Sequence, residues 1–150
     1  MALPLACVLN HKVIVLHGGV GFPSNSNVTL SDLENIERKM DIPLEGLLCD
    51  VLWSDPTDST IGVEYNHMRG CSHLFGPDVT KKFLQDNGLE LLIRSHQVQM
   101  DGYSVEANGK LITVFSAPQY AGYYDNDGAF IRLNGSDMKP QFTTFKGSPY

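Results

Sequence analysis

Two short apolar runs, each stopping just before a histidine, constrain this chain more than any other feature. Lys12–Leu16 (KVIVL) is rich in β-branched residues and reads as a buried strand that ends at His17-Gly18-Gly19. Leu89–Ile93 (LELLI) is a second strand and delivers Arg94-Ser95-His96. A backbone held rigid at a strand end fixes where an imidazole lone pair points, which suits a metal ligand, and glycine beside it lets a ligand approach the main chain. Each histidine alone equally suits a polar residue closing a strand. Two of them do not make a metal site, because a dinuclear centre also needs bridging oxygens.

Around these strands the pattern alternates between helices and hairpins. Lys12–Leu16 is preceded by another strand-like segment in MALPLACVLN. Thr29 or Ser31 is placed to cap a helix; Ser31 with Glu34 has capping-box spacing, and Leu33, Ile36 and Met40 recur on one face. Leu44–Trp53 reads as a short apolar helix closed by Ser54-Asp55-Pro56, and Thr57–Cys71 as a long polar loop. A helix starts at Gly76-Pro77-Asp78 and ends at Asn87-Gly88. Asn108-Gly109 joins strands Tyr103–Ala107 and Lys110–Phe115. After a loop from Ser116 to Asp127, strands Ala129–Leu133 and Gln141–Phe145 pair around Gly135-Ser136-Asp137. Early helices and late hairpins predict an α+β class with much antiparallel sheet.

Composition excludes several functions. Hydrophobic residues make up 42% of the 150 residues and charged residues 19%, enough for a packed core and too little charge for disorder. Lys and Arg number 11 against 17 Asp and Glu, a net charge of −6, which leaves no basic surface for nucleic acid. No apolar stretch is long enough for a membrane span, and the N-terminal segment lacks the basic start of a signal peptide. Cys7, Cys49 and Cys71 show no Cys-x-x-Cys spacing and read as free thiols in a reducing compartment. The sequons at Asn27 and Asn134 carry no weight without a secretion signal. The expectation is a soluble intracellular chain.

Four further residues have the chemistry of a site. Arg69, in His67-Met68-Arg69-Gly70, can clamp two oxygens of a phosphate, or form an exposed surface pair. Trp53 and Asp55 sit with a rigid turn in Trp53-Ser54-Asp55-Pro56, which also suits a plain helix end. Tyr120 begins a long loop after a strand and can present its phenol to a ligand, or pack its ring with the hydroxyl in water. Arg94, inside a strand, reads as a structural partner for a carboxylate. Other motifs fail: His17-Gly18-Gly19 has no Gly-x-Ser-x-Gly partner, no phosphate-binding glycine loop exists, and Asp125-Asn126-Asp127-Gly128 loses the calcium-loop pattern at Ala129.

Taken in order, HGG (17–19), LLCDVLWSDP (47–56), RG…FG (69–76), RSHQV (94–98), DGY (101–103) and TVFSAPQY (113–120) resemble the phosphoprotein phosphatases, the metal-dependent protein serine/threonine phosphatases. GPDVTKKFL (76–84) and NGSDMKPQF (134–142) are most similar to the type-5 branch. The resemblance, from about Leu3 to Phe145, implies the C-terminal half of a calcineurin-like β-sandwich flanked by helices, residues 1–150 forming a partial catalytic domain. It implies hydrolysis of phosphoserine and phosphothreonine with two divalent metals (Mn, Fe or Zn), phosphoprotein substrates, regulatory subunits or domains, and a cytoplasmic or nuclear setting. In the resemblance His17 and His96 ligate one metal, Arg69 grips the phosphate, and Tyr120 faces it from a mobile loop. Asp55 corresponds to an acidic residue at the rim, with Trp53 beside it.

The departures from the family pattern set further expectations. Gly-Asp-x-His-Gly, Gly-Asp-x-Val-Asp-Arg-Gly and Gly-Asn-His-Glu, which supply the other metal ligands, a second arginine and the proton-donating histidine, do not occur. Ala121 stands where many relatives have cysteine and Gln119 where asparagine is usual, and the loop Gly21–Asn27 is slightly extended. Alone, the chain is expected to have little or no phosphatase activity and to expose sheet edges and apolar faces. The alternative is a non-catalytic, truncated or pseudo-phosphatase binding module; a weaker one is a metal-storage or metal-sensing module built on His17 and His96.

Overall fold

The computed structural model describes residues 3–23 and 26–148. The expectations for the loop Gly21–Asn27 and for the N-terminal segment therefore fall partly on residues outside the described ones, namely Ser24, Asn25, Met1 and Ala2. Strands β1 (Ala6–Leu9) and β2 (Val13–Leu16) form a hairpin, and helices α1 (Leu30–Glu34) and α2 (Leu47–Trp53) follow. Next come the short strands β3 (Asp55–Pro56), β4 (Val63–Tyr65) and β5 (His73–Phe75), then helix α3 (Pro77–Asp86) and strand β6 (Leu91–Arg94). Strands β7 (Tyr103–Glu106), β8 (Leu111–Val114), β9 (Gly128–Leu133) and β10 (Pro140–Phe145) complete the chain.

The main sheet has the order β1-β2-β6-β8-β7. Its three inner strands, β2, β6 and β8, are parallel, and antiparallel partners close both edges. Strands buried on both faces need no polar alternation, which is why KVIVL and LELLI read as continuous apolar runs. Successive residues still face opposite ways. Val13, Leu91, Ile93 and Ile112 pack with Met138, Ile131, Leu133 and Phe142 of the β9–β10 hairpin and its turn. Ile14, Leu16, Leu92 and Leu111 face Leu33 of α1, Val51 of α2, Phe83 and Leu84 of α3, and Phe75 of β5. Each fully buried aliphatic side chain contributes roughly 1.5–3 kcal/mol. The result is the α+β arrangement that the resemblance implied, with mixed sheets and helices.

Several local expectations are corrected. The first capping box is Thr29 with Asp32, not Ser31 with Glu34: Thr29 Oγ1 accepts from Asp32 N, and Asp32 accepts from Thr29 N. That helix stops at Glu34, where the Asn35 amide donates to the Ser31 carbonyl, and Met40 is left exposed. The second helix begins at Leu47 rather than Leu44, because Gly46, with φ of +89°, turns the chain into it. Residues 57–71 are not wholly loop, since Val63–Tyr65 pairs with β5. Three-residue strands have too little sequence to show a period. The β7–β8 turn includes Ala107, Asn108 and Gly109, all at positive φ. Among the described residues, no helix is long and apolar enough to cross a membrane.

Candidate functional site

The parallel pairing of β2 with β6 determines where the two histidines meet. Val15 is level with Ile93, and one step further Ser95 N donates to the His17 carbonyl at 3.1 Å. Both strands therefore end together, and ligands in such sheets bind outside the carboxyl ends of the strands. His17 Nε2 lies 3.1 Å from His96 Nδ1, with ring centroids 4.9 Å apart. His96 sits at φ of +69°, a strained backbone for a residue with a Cβ. The β8 strand ends on the same side and leads through Phe115 to Tyr120.

The floor of the site comes from the segment after α2. Trp53 meets the His96 ring edge-on at 5.1 Å, and the Arg69 guanidinium lies 6.0 Å from the indole centroid. Asp55 is beneath them and only 3% exposed, so it is not the rim residue that the resemblance implied. Its Oδ2 accepts from Arg69 Nε at 2.9 Å and Asn66 Nδ2 at 3.1 Å, and its Oδ1 accepts from Arg94 Nη2 at 2.9 Å. Arg69 Nη2 also donates to the His96 carbonyl at 3.3 Å, which fixes the guanidinium over the floor. Arg94 is the structural partner of a carboxylate, as expected, and reaches further. Its Nε donates to the Gly18 carbonyl, Nη2 to the Ser54 carbonyl and Nη1 to Gln97.

His17, Trp53, Arg69, His96 and Tyr120 thus line one cleft of about 410 Å³, with Asp55 under it. Tyr120 is half-exposed, its ring edge-on to Phe115 at 5.1 Å, on a loop with positive φ at Gln119, Ala121 and Gly122. Sequence reasoning missed Ile42, Leu52, Ser95 and Phe115, which share the lining. Leu52, Ser95 and Phe115 were within reach, since each stands inside a quoted motif. Nothing in the local pattern singles out Ile42, which arrives from the irregular segment between the helices.

Charge in the cleft is predominantly positive. Burial, reinforced by Arg94 and Arg69, lowers the pKa of His17. Burial and then the Arg69 charge lower that of His96 to about 4, so both rings are neutral at pH 7 and the 4.0 Å approach of His96 to Asp55 is not an ion pair. Burial by itself would raise the Asp55 pKa, but the hydrogen bonds from Arg69 and the charge of Arg94 overcome it and hold the carboxyl below its ordinary value. Burial brings Arg94 down to about 10, still charged at pH 7.

The divalent ions that the resemblance implies can be tested against these groups. Neutral imidazoles are the ligating form, and nitrogens 3.1 Å apart both lie within reach of one ion at the usual bond of ~2.0–2.1 Å. The other ring nitrogen, His96 Nε2, is buried without a hydrogen-bond partner among the described residues and lies 4.0 Å from Asp55 Oδ1, so it faces away from that ion. Yet among the described residues no group of three or more His, Cys, Asp or Glu is arranged to hold a metal. The residues fit two donors of one site and no more.

Comparison with known proteins is consistent with this geometry. The sequence model of the calcineurin-like phosphoesterases matches residues 2–100. Serine/threonine-protein phosphatase 5 of Arabidopsis thaliana is 52% identical over 148 residues, covering 99% of this chain and 27% of the relative. The human protein of the same name is 47% identical, covering 99% and 29%. Serine/threonine-protein phosphatase T of Trypanosoma brucei brucei is 50% identical, covering 99% and 31%. A solved Saccharomyces cerevisiae protein serine/threonine phosphatase, described as similar to human phosphatase PP5, superposes with a TM-score of 0.86 at 38% identity, covering 99% of this chain and 48% of its own. The chain therefore spans less than a third of these curated relatives and about half of the solved one.

Proposed function

The chain belongs to the calcineurin-like phosphoesterase family, and we propose that its cleft is the phosphate-facing part of a protein serine/threonine phosphatase. One observation carries the reading: the ends of three parallel strands and the floor segment bring His17, His96, Arg69, Trp53 and Tyr120 together over a buried Asp55. The names of the similar proteins point to the same activity.

Each side chain has a role set by its surroundings. Arg69 binds a phosphoryl oxygen, held in aim by Asp55 on one side and the His96 carbonyl on the other. Tyr120 covers the phosphate from its loop. Trp53 locks the His96 ring and gives the substrate an apolar wall. His17 and His96 contribute two nitrogens to a divalent metal. A bound divalent metal supplies charge for the phosphate oxygens and a more acidic water.

Phosphomonoester hydrolysis is among the slowest uncatalysed reactions, with accelerations up to ~10²¹-fold. Two imidazoles and one phosphate-facing arginine do not supply that. The other donors must come from outside residues 1–150, and the chain alone has little or no turnover. The same limited ligand set favours a second reading, a non-catalytic module that binds phosphorylated partners through Arg69.

Titrating a phosphothreonine peptide into the ¹⁵N-labelled chain tests the reading. Shifts at the Trp53 indole and the Tyr120 loop, lost in Arg69→Ala, support it. Peptide binding elsewhere, or unchanged in that variant, refutes it. Robust metal-dependent turnover by residues 1–150 would overturn the inactivity of the isolated chain.

A further inference from the structure

Arg94 has the largest side chain among those fully buried, and it lies outside the cleft lining. It joins four groups from three segments: the Gly18 carbonyl beside His17, the Ser54 carbonyl and Asp55 carboxylate, and the Gln97 amide. A buried guanidinium is costly unless its donors are met and a counter-charge is near. That counter-charge is Asp55, which also serves Arg69.

Two guanidiniums therefore share one carboxylate. Arg69 holds Oδ2 through Nε, with Nη2 3.5 Å from Oδ1, while Arg94 Nη2 holds Oδ1 at 2.9 Å. The cluster of Arg69, Asp55 and Arg94 carries one net positive charge. Arg69 Nη1 has no hydrogen-bond partner among the described residues, and the side chain is 29% exposed to the cleft. If Asp55 faced Arg69 alone, the pair would be neutral and the carboxylate would compete with an incoming anion.

We propose that Arg94 is a positioning residue for phosphate recognition: by engaging Asp55 from below, it leaves Arg69 aimed by the carboxylate yet not neutralised by it. This rests on the reading of Arg69 as the phosphate clamp. Arg94 does not touch the phosphate. It sets the charge that the phosphate meets.

Inorganic phosphate titrated into the chain, followed by NMR at the Trp53 indole N–H, which every variant keeps and whose ring lies 6.0 Å from the Arg69 guanidinium, tests this. The expected result is that Arg94→Met weakens binding by about tenfold, the effect of one charge a few ångströms away on an ionic equilibrium. Arg94→Lys, which keeps the charge with fewer donors, recovers part of the loss. Asp55→Asn in the Arg94→Met background recovers most of it, because the competing carboxylate is gone. Affinities are compared at equal folded fraction, set from each variant's denaturant midpoint, so that recovery is not regained folding. Wild-type affinity in folded Arg94→Met, or a double variant no tighter than the single one, overturns the proposal. If Arg94→Met does not fold, Arg94→Lys and the double variant carry the test, the latter without an unpaired buried charge. Wild-type affinity in Arg69→Ala, or no response of the wild-type chain to phosphate, overturns the reading of Arg69 itself.

Discussion

A Cβ placed on Gly18 would lie 2.5 Å from the carbonyl carbon of Leu52, a main-chain atom near the end of α2. Gly18 N donates to the Val51 carbonyl and its own carbonyl accepts from Arg94, so the backbone after His17 is seated against the helix that carries Trp53. Gly18→Ala forces these two segments apart, since neither contact atom belongs to a flexible side chain. The expected cost is about 1–3 kcal/mol of stability, in the range of overpacking a filled site. It is read from the denaturant midpoint at unchanged slope. A midpoint equal to that of the wild type would show that the seat is loose.

Trp53 is the sole tryptophan, and its ring neighbours both His96 and Arg69. Its fluorescence therefore reports the cleft without a label. Inorganic phosphate is expected to change Trp53 emission along a saturable curve. That change disappears in Arg69→Ala and persists in Arg132→Ala, an arginine of β9 far along the chain from the cleft. An identical response in Arg69→Ala would place the anion elsewhere.

The paired imidazoles lead to a metal-binding prediction that does not depend on turnover. With both rings neutral at pH 7, no proton has to leave before an ion binds. Zn²⁺ titrated calorimetrically is expected to bind weakly, through two protein donors. His17→Ala and His96→Ala should each weaken it by at least about tenfold, since even loss of a residue that merely supports a ligand costs that much. His11→Ala, in the β1–β2 turn, serves as the control. Equal losses in all three variants would mean that Zn²⁺ binds nonspecifically.

Legibility in the sequence followed the range of the interactions. KVIVL and LELLI were readable as strands because burial on both faces leaves a plain apolar run, and α3 because Pro77 and Asn87 mark its ends. The motif resemblance groups Trp53, Arg69, His96, Tyr120 and His17 from the sequence alone. The burial of Asp55 was not readable, because it depends on the Asn66–Arg69 turn and on Arg94 arriving from two other segments. Nor was β4, a three-residue strand defined only by its partner β5. The Thr29 box defeated the Ser31 reading because both positions offer a hydroxyl three residues before a carboxylate. Only the backbone geometry at Thr29, extended rather than helical, separates them.

Asp50 provides the last test, away from the cleft. It is 1% exposed, and its Oδ1 accepts from Ser72 Oγ at 2.8 Å with His73 Nδ1 at 3.0 Å. Burial raises its pKa above the ordinary 3.8, outweighing the lowering by Ser72 and His73. A raised folded-state pKa means that the native chain binds this proton more tightly than the unfolded chain. The ionised carboxylate therefore costs stability, a cost absent below the unfolded value near 3.8 and growing as pH rises through the folded value. Asp50→Asn keeps an oxygen acceptor and removes the charge. Its stability relative to the wild type should be greatest and constant above the folded-state value and fall as the pH drops through that value toward 3.8, in denaturant melts at a series of pH values. A relative stability that does not vary with pH, or that rises on acidification, would show that the Ser72 and His73 contacts outweigh desolvation and that the buried charge stabilises the helix it sits on.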